Sequence, residues 1–377
     1  MPCILTVFGT RPEIIKLAPV ISALDARADR FVTRTVCSSQ HTDLLQPFLR
    51  RSSLRIDHDL AVMRENQSLS DVAARVVQAL DPIVAKEGPD LLLVQGDTTT
   101  ALAGALAGFN RKVPVGHVEA GLRSGDRMSP FPEEMNRRLI TQLATYHFAA
   151  TERNARALAG EGVPPDRVAL TGNPVVDALR DVLAHQGPSP EIEALVEREA
   201  GRRLVVLTAH RRESLGERMA GHLRVLRAFV EAHQDVALAF PVHPNPAVRD
   251  AAESVLRGAP RVHLLPPLDH PDFLYLLSRA WLVASDSGGV QEEVASLGKP
   301  LLILRENTER PEVVDAGIGR LVGSSPARLQ EELDAAYRSG AWAEAVRRIP
   351  NPFGDGRSGP RIADAIERWL GGTVAHA

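Results

Sequence analysis

The sequence predicts an α/β protein built from two parallel sheets in tandem, with ligands taken up in the cleft between the carboxyl ends of their strands. Three observations carry this. Short apolar runs alternate with longer helix-period segments along all 377 residues. The rhythm occurs twice, with a strand-poor helical interval between the two halves. The length also suits two cores, at roughly 100–200 residues per domain.

In the first half the predicted strands are Ile4–Phe8, Phe31–Cys37, Leu91–Gln95, Val113–Val118 and Tyr146–Ala149. Helical patterns over Glu13–Leu24, Leu69–Val84, Thr99–Phe109 and Glu133–Leu143 separate them. Apolar runs of this length between helices are the mark of strands buried on both faces, hence a parallel sheet with crossover helices. The junction is predicted near Gly172–Pro174, with Val175–Ala200 as helical connecting structure. The second half predicts strands at Leu204–Thr208, Val236–Val242, Val262–Leu265, Leu282–Ser285, Leu301–Leu304 and Arg320–Val322. A Pro/Gly-rich stretch, Ile349–Pro360, precedes a last amphipathic helix, Arg361–Leu370.

With 44 basic against 47 acidic side chains the net charge is −3, so no broad field draws the chain to nucleic acid or to an anionic membrane. A 44% hydrophobic and 24% charged composition is globular. No apolar run approaches the roughly 18 residues of a spanning helix, and Met-Pro-Cys-Ile is not a signal sequence. Cys3 and Cys37 lie in strand-like stretches and make no disulfide framework. A soluble cytoplasmic protein is expected. Among the basic residues only Lys16, Lys86, Lys112 and Lys299 are lysine, so each lysine departs from the chain's habit of arginine.

Two turns suit anions. Gly9-Thr-Arg-Pro-Glu follows the first strand and opens a helix, with Arg11 and Lys16 beside its first-turn N–H groups. Ser285-Asp-Ser-Gly-Gly-Val-Gln-Glu-Glu repeats the arrangement, where Ser287, Gly288 and Gly289 would let a diphosphate approach the backbone. Glu293, one turn on, can accept two hydrogen bonds from a ribose diol, whereas Glu292 reads as a complement to the helix dipole. No Gly-x-Gly-x-x-Gly or Walker-type loop follows any strand, which argues against nicotinamide dinucleotides and P-loop nucleotides.

The acids are the second signal. Asp97 ends a buried strand in Gln95-Gly-Asp, and Glu119 ends the next. Glu133 opens the helix after Pro130-Phe-Pro, so the three would converge at one rim. Converging carboxylates repel one another unless cations or a ligand offset them, and such clusters occur where protons are moved. His210, in Thr208-Ala-His-Arg-Arg-Glu, and His243, in Phe240-Pro-Val-His-Pro-Asn, follow strands of the second half, and Arg310 lies beside a helix start. His117, His210 and His243 come without a His-Glu-x-x-His or a thiolate pair, so no metal is expected. His147, His222 and His263 read as structural.

Gly9-Thr-Arg-Pro-Glu, Gln95-Gly-Asp, His117-Val-Glu-Ala-Gly-Leu-Arg, Pro130-Phe-Pro-Glu-Glu-Met-Asn-Arg, His210-Arg-Arg-Glu, Pro241-Val-His-Pro-Asn, Asp286-Ser-Gly-Gly-Val-Gln-Glu-Glu and Thr308-Glu-Arg-Pro-Glu occur in that order. Together they resemble the non-hydrolysing UDP-N-acetylglucosamine 2-epimerases, over residues from about 4 to about 323. The resemblance implies a glycosyltransferase-B type fold of two Rossmann-like domains with the active site in the interdomain cleft. The domains would be 1–172, joined by a returning C-terminal helix at 360–377, and 173–359, which binds UDP. It implies a homodimer that interconverts UDP-GlcNAc and UDP-ManNAc for polysaccharide biosynthesis, with a UDP-sugar as partner and no cofactor. On this mapping Asp97, Glu119 and Glu133 do the acid–base work and His210 assists UDP departure. Arg11, Lys16, His243, Ser287, Gly288, Gly289, Glu293 and Arg310 hold the substrate.

There are departures from the family's pattern. Gln40 and His41 match part of a second, activating UDP-GlcNAc site found in bacterial members, but Asp43 and Asn66 stand at its other two positions. An added acid and a lost cation weaken diphosphate binding, so allosteric activation is expected to be reduced or absent. Ser214 replaces an asparagine. Rival readings are an epimerase of UDP-2,3-diacetamido-2,3-dideoxy-glucuronic acid, a hydrolysing epimerase, a glycosyltransferase, and a non-catalytic UDP-sugar-binding protein.

Overall fold

A computed structural model describes residues 1–39, 54–64, 67–210 and 216–373. Gln40, His41, Asp43, Asn66, Ser214 and the Arg211-Arg-Glu part of the histidine motif lie outside the described residues. The chain forms two compact units, one from Met1–Ala178 and the stretch from Phe353 onward, the other from Leu179–Pro352.

The first unit is organised on a seven-stranded parallel sheet. Its strands are β1 (Cys3–Phe8), β2 (Val32–Cys37), β3 (His58–Asp59), β4 (Leu91–Gln95), β5 (Val115–Ala120), β6 (Tyr146–Ala149) and β7 (Val168–Leu170), in the order β3-β2-β1-β4-β5-β6-β7. Strand residues alternate between two cores. Ile4, Phe8, Leu91 and Leu93 pack with helices Arg11–Asp25 and Ser358–Thr373, while Leu5, Val7, Leu92 and Val94 pack with Leu69–Glu87, Thr99–Asn110 and Glu133–Leu143. All eight of these strand side chains are fully buried, which is why the runs read as unbroken apolar stretches. The last helix starts one turn earlier than its sequence pattern suggests. The carboxylate of Asp177, far away in sequence, accepts the Ser358 and Gly359 N–H groups at 3.0 and 2.9 Å and so caps it. β5 begins two residues later than predicted, because the Val113 N–H closes the preceding helix on the Gly108 carbonyl.

The second unit has six parallel strands, β8 (Arg203–Thr208), β9 (Val236–Pro241), β10 (Val262–Leu265), β11 (Leu282–Ser285), β12 (Leu301–Ile303) and β13 (Gly319–Leu321), in the order β10-β9-β8-β11-β12-β13. Strand order therefore reverses between β1 and β4 in one sheet and between β8 and β11 in the other. In sheets of this kind ligands bind at the carboxyl ends beside such a reversal. Every site motif found in the sequence follows one of these strands or its neighbour. No helix among the described residues is long and apolar enough to cross a membrane.

Candidate active site

In the first unit the turn after β1 is held by its own acid. Glu13, fully buried, accepts the N–H groups of Gly9 and Thr10 at 3.0 and 2.7 Å and the Thr10 hydroxyl at 2.8 Å. Its other oxygen takes the Thr98 hydroxyl at 2.7 Å, so one carboxylate stitches the turn after β1 to the turn after β4. Burial pushes its pKa up to about 6 against those hydrogen bonds. Gly9 is required by close approach. A Cβ there would lie 2.2 Å from the Ser38 hydroxyl. Arg11 is half-buried at the first position of the helix.

Lys16, expected beside a ligand anion, is 8% exposed, and its ammonium is paired with Glu119. Glu119 sits inside β5, where the register with β6 slips between Val118 and Ala120 and its φ is +64°. A non-glycine residue in this left-handed region costs of order 1 kcal/mol or more and persists only where its surroundings fix it. Here they do. Besides Lys16, the carboxylate receives the amides of Gln95, at the end of β4, and of Asn173, the latter at 2.9 Å.

Asp97 lies on the turn after β4, partly open to solvent, and takes Arg137 Nε and Nη2 at 2.8 and 2.7 Å on one oxygen. Asn136 donates to its backbone carbonyl at 2.8 Å. Both donors stand on the helix opened by Glu133, so the first turns of that helix pack against the turn carrying Asp97. Arg137 is almost fully buried and is also held by the wholly buried Glu134 at 3.1 Å. His117 Nε2 donates to the Gly96 carbonyl at 2.8 Å and supports the same turn. Burial lowers its pKa to about 3, so it stays neutral and structural. Two of the predicted acids therefore carry buried cations, Arg137 on Asp97 and Lys16 on Glu119.

In the second unit, β8 and β11 present His210 and Asp286 side by side. The fully buried Asp286 accepts the His210 N–H at 3.0 Å and lies 3.1 Å from its Nδ1. A carboxylate there selects the Nδ1–H tautomer and directs Nε2 outward. The His243 ring lies 5.7 Å from that of His210. Burial and its histidine neighbour lower the His243 pKa.

Ser287, Gly288 and Gly289 open the helix Gly288–Leu297. A Cβ on Gly288 would lie 2.5 Å from Arg310 Nη1, whereas nothing stands within 4 Å of one on Gly289. Arg310 is buried beneath this turn, bound to Glu292 at 2.6 Å and Glu309 at 2.8 Å, and Arg305 holds Glu309 from the other side at 2.8 Å. Glu292 is therefore an ion-pair partner of Arg310. Glu293 is met by His270 Nε2 at 3.2 Å.

The residues that sequence reasoning missed are partners: Gln95, Arg137 and Asn173 in the first unit, Asp286 and His270 in the second. Only Arg137 carried a local signal, one helical turn after Glu133.

Two tandem parallel sheets with strand-end turns of this kind define a glycosyltransferase-B-like α/β protein, and the glycotransferase of kitacinnamycin, only 18% identical, shares the fold at a TM-score of 0.64 over 97% of this chain. The chain belongs to the UDP-N-acetylglucosamine 2-epimerase family, whose sequence model matches residues 23–367. It is 42% identical to the UDP-N-acetylglucosamine 2-epimerase of Escherichia coli K12 over 370 residues, covering 97% of this chain and 98% of that one. The UDP-GlcNAc 2-epimerase of Neisseria meningitidis, solved with UDP-GlcNAc bound, matches with a TM-score of 0.90 and 38% identity, covering 97% of this chain and 100% of that one.

Proposed function

We propose that the protein interconverts UDP-GlcNAc and UDP-ManNAc by eliminating UDP from the sugar and adding it back. A carboxylate takes the proton from carbon 2, and the C–H electron pair becomes a carbon 1–carbon 2 double bond. The carbon 1–oxygen bond breaks, and UDP leaves with that pair. UDP then re-adds to the 2-acetamidoglucal while a proton reaches carbon 2 on the opposite face, so atoms and electrons balance over the cycle. Inversion needs proton-transfer groups on both faces, which is the use of Asp97, Glu119 and Glu133 together.

The observation that carries this reading is the pairing of the acids. Asp97 and Glu119 each have a buried cation as partner, Arg137 and Lys16, which offsets the repulsion between the carboxylates. Lys16 is read here as the counter-charge of Glu119. Arg11, His243, Ser287, Gly288 and Gly289 hold the diphosphate, Arg310 shapes their turn from below, and Glu293 takes the ribose diol. His210, oriented by Asp286, stabilises charge on the departing phosphate. The working form is a cytoplasmic homodimer, as the family resemblance implies.

Proton NMR with UDP-GlcNAc in deuterated water tests the whole scheme. UDP-ManNAc carrying deuterium at carbon 2, with UDP still attached, is expected. Free ManNAc with free UDP, or retention of protium in the epimerised product, would overturn it.

A further inference from the structure

We propose that Asn173 is a positioning residue for Glu119: its side-chain amide fixes the direction of that carboxylate, which the Lys16 ammonium neutralises but does not orient. The inference rests on the acid–base reading of Glu119.

Asn173 lies between β7 and the helix Pro174–His185 and is 1% exposed. Its Oδ1 accepts the Val175 N–H at 3.1 Å, which leaves Nδ2 turned to Glu119 Oε1 at 2.9 Å. The backbone is anchored as well, because the Asn173 N–H donates to the Phe353 carbonyl at 2.8 Å. The amide therefore cannot flip without orphaning a donor, and it cannot drift without breaking the contact to the returning chain.

The need for such a holder follows from Glu119 itself. Its backbone is in the left-handed region at a break in strand register, so the peptide ladder does not set its side chain. A lysine is a point charge on a flexible four-carbon arm, and it attracts a carboxylate without defining its plane. Asn173 shares Oε1 with Lys16, and Gln95 takes Oε2, so two amides on fixed backbones define the plane and the cation supplies the charge. Proton transfer to carbon needs placement to within about 0.5 Å, which this arrangement supplies.

The substitution Asn173→Asp keeps the size and the Val175 acceptor but replaces the donor with oxygen. Asn173→Ser also retains a helix-capping oxygen, without charge and without reach to Glu119. For both, kcat for epimerisation is expected to fall at least about tenfold, with KM for UDP-GlcNAc and the dissociation constant of UDP changed less than about threefold. Combined with Glu119→Gln, neither should lower the rate further than Glu119→Gln alone. Two results would overturn the inference: kcat within twofold of the parent in whichever variant folds, or losses that add to those of Glu119→Gln. Near-normal carbon 2 proton exchange in Glu119→Gln itself would instead overturn the proposed function.

Discussion

The buried histidines of the first sheet make the fold acid-sensitive by an amount that can be worked out. His117 and His147 are register partners on β5 and β6, 0% and 2% exposed. Burial lowers their pKa values from an ordinary 6.5 to about 3 and about 4, with Arg123 adding to the depression at both. A depressed histidine contributes stability that is fully present above its unfolded value and is lost as pH falls below it. At about pH 5 both rings are still neutral in the folded protein, whereas the unfolded chain has taken up both protons. Each then costs about 2 kcal/mol relative to pH 8, from 1.5 pH units at about 1.4 kcal/mol per unit. Glu13 acts in the opposite sense. Its pKa is raised from 4.5 to about 6, so it recovers about 1 kcal/mol over the same interval as the buried carboxyl takes its proton. His147→Phe should therefore lose about 2 kcal/mol less than the parent between about pH 8 and pH 5. Urea unfolding read by the fluorescence of Trp369, which stacks on Tyr146 at 4.2 Å, measures it in a background where Trp281 and Trp342 are phenylalanine. Equal losses in parent and variant would refute the reasoning, because an imidazole that titrates alike in both states cannot link stability to pH.

Other consequences are as direct. Asp97→Asn and Glu119→Gln should each lower the epimerisation rate by at least about two decades, the usual worth of a general acid or base, and near-normal turnover would remove that residue from the mechanism. Gly288→Ala places a methyl against the buried Arg310 guanidinium and should cost about 1–3 kcal/mol, read as a lowered Tm together with weaker UDP binding; an unchanged Tm would show that the turn can yield. Arg137→Met removes a nearly fully buried cation shared by Asp97 and Glu134; because Glu134 keeps Arg138 and the Ser124 N–H and Asp97 is partly open to solvent, it should destabilise the first unit by about 1–3 kcal/mol, measured by urea unfolding. If Asp43 and Asn66 stand where the sequence comparison with the family puts them, the rate should depend hyperbolically on UDP-GlcNAc, and pronounced sigmoidality would contradict that.

What could be read in advance follows from where each kind of information lies along the chain. β4 and β11 are legible because strands covered on both faces must be apolar at every position, and Leu91–Val94 and Leu282–Ala284 are. The edge strands β3 and β7 are two and three residues long, half-exposed or exposed, and leave no period to detect. The acids stand out in the sequence for a related reason, since a carboxylate at the end of an apolar strand is conspicuous there. Their partners are not. Lys16 and Glu119 are 103 residues apart, Asn173 and Glu119 54, and His210 and Asp286 76; the first and last pairs meet across a reversal of strand order, and Asn173 reaches Glu119 from the end of a strand two places along the same sheet. The rarity of lysine marked Lys16 as important, but rarity says nothing about what an ammonium faces. Arg137, one arginine among 40, has only its place one helical turn after Glu133 to single it out. A local sequence fixes the sign and position of a charge, whereas its counter-charge is chosen by the sheet. That is why the least legible residues of this site are those that hold, orient or neutralise the ones that were found.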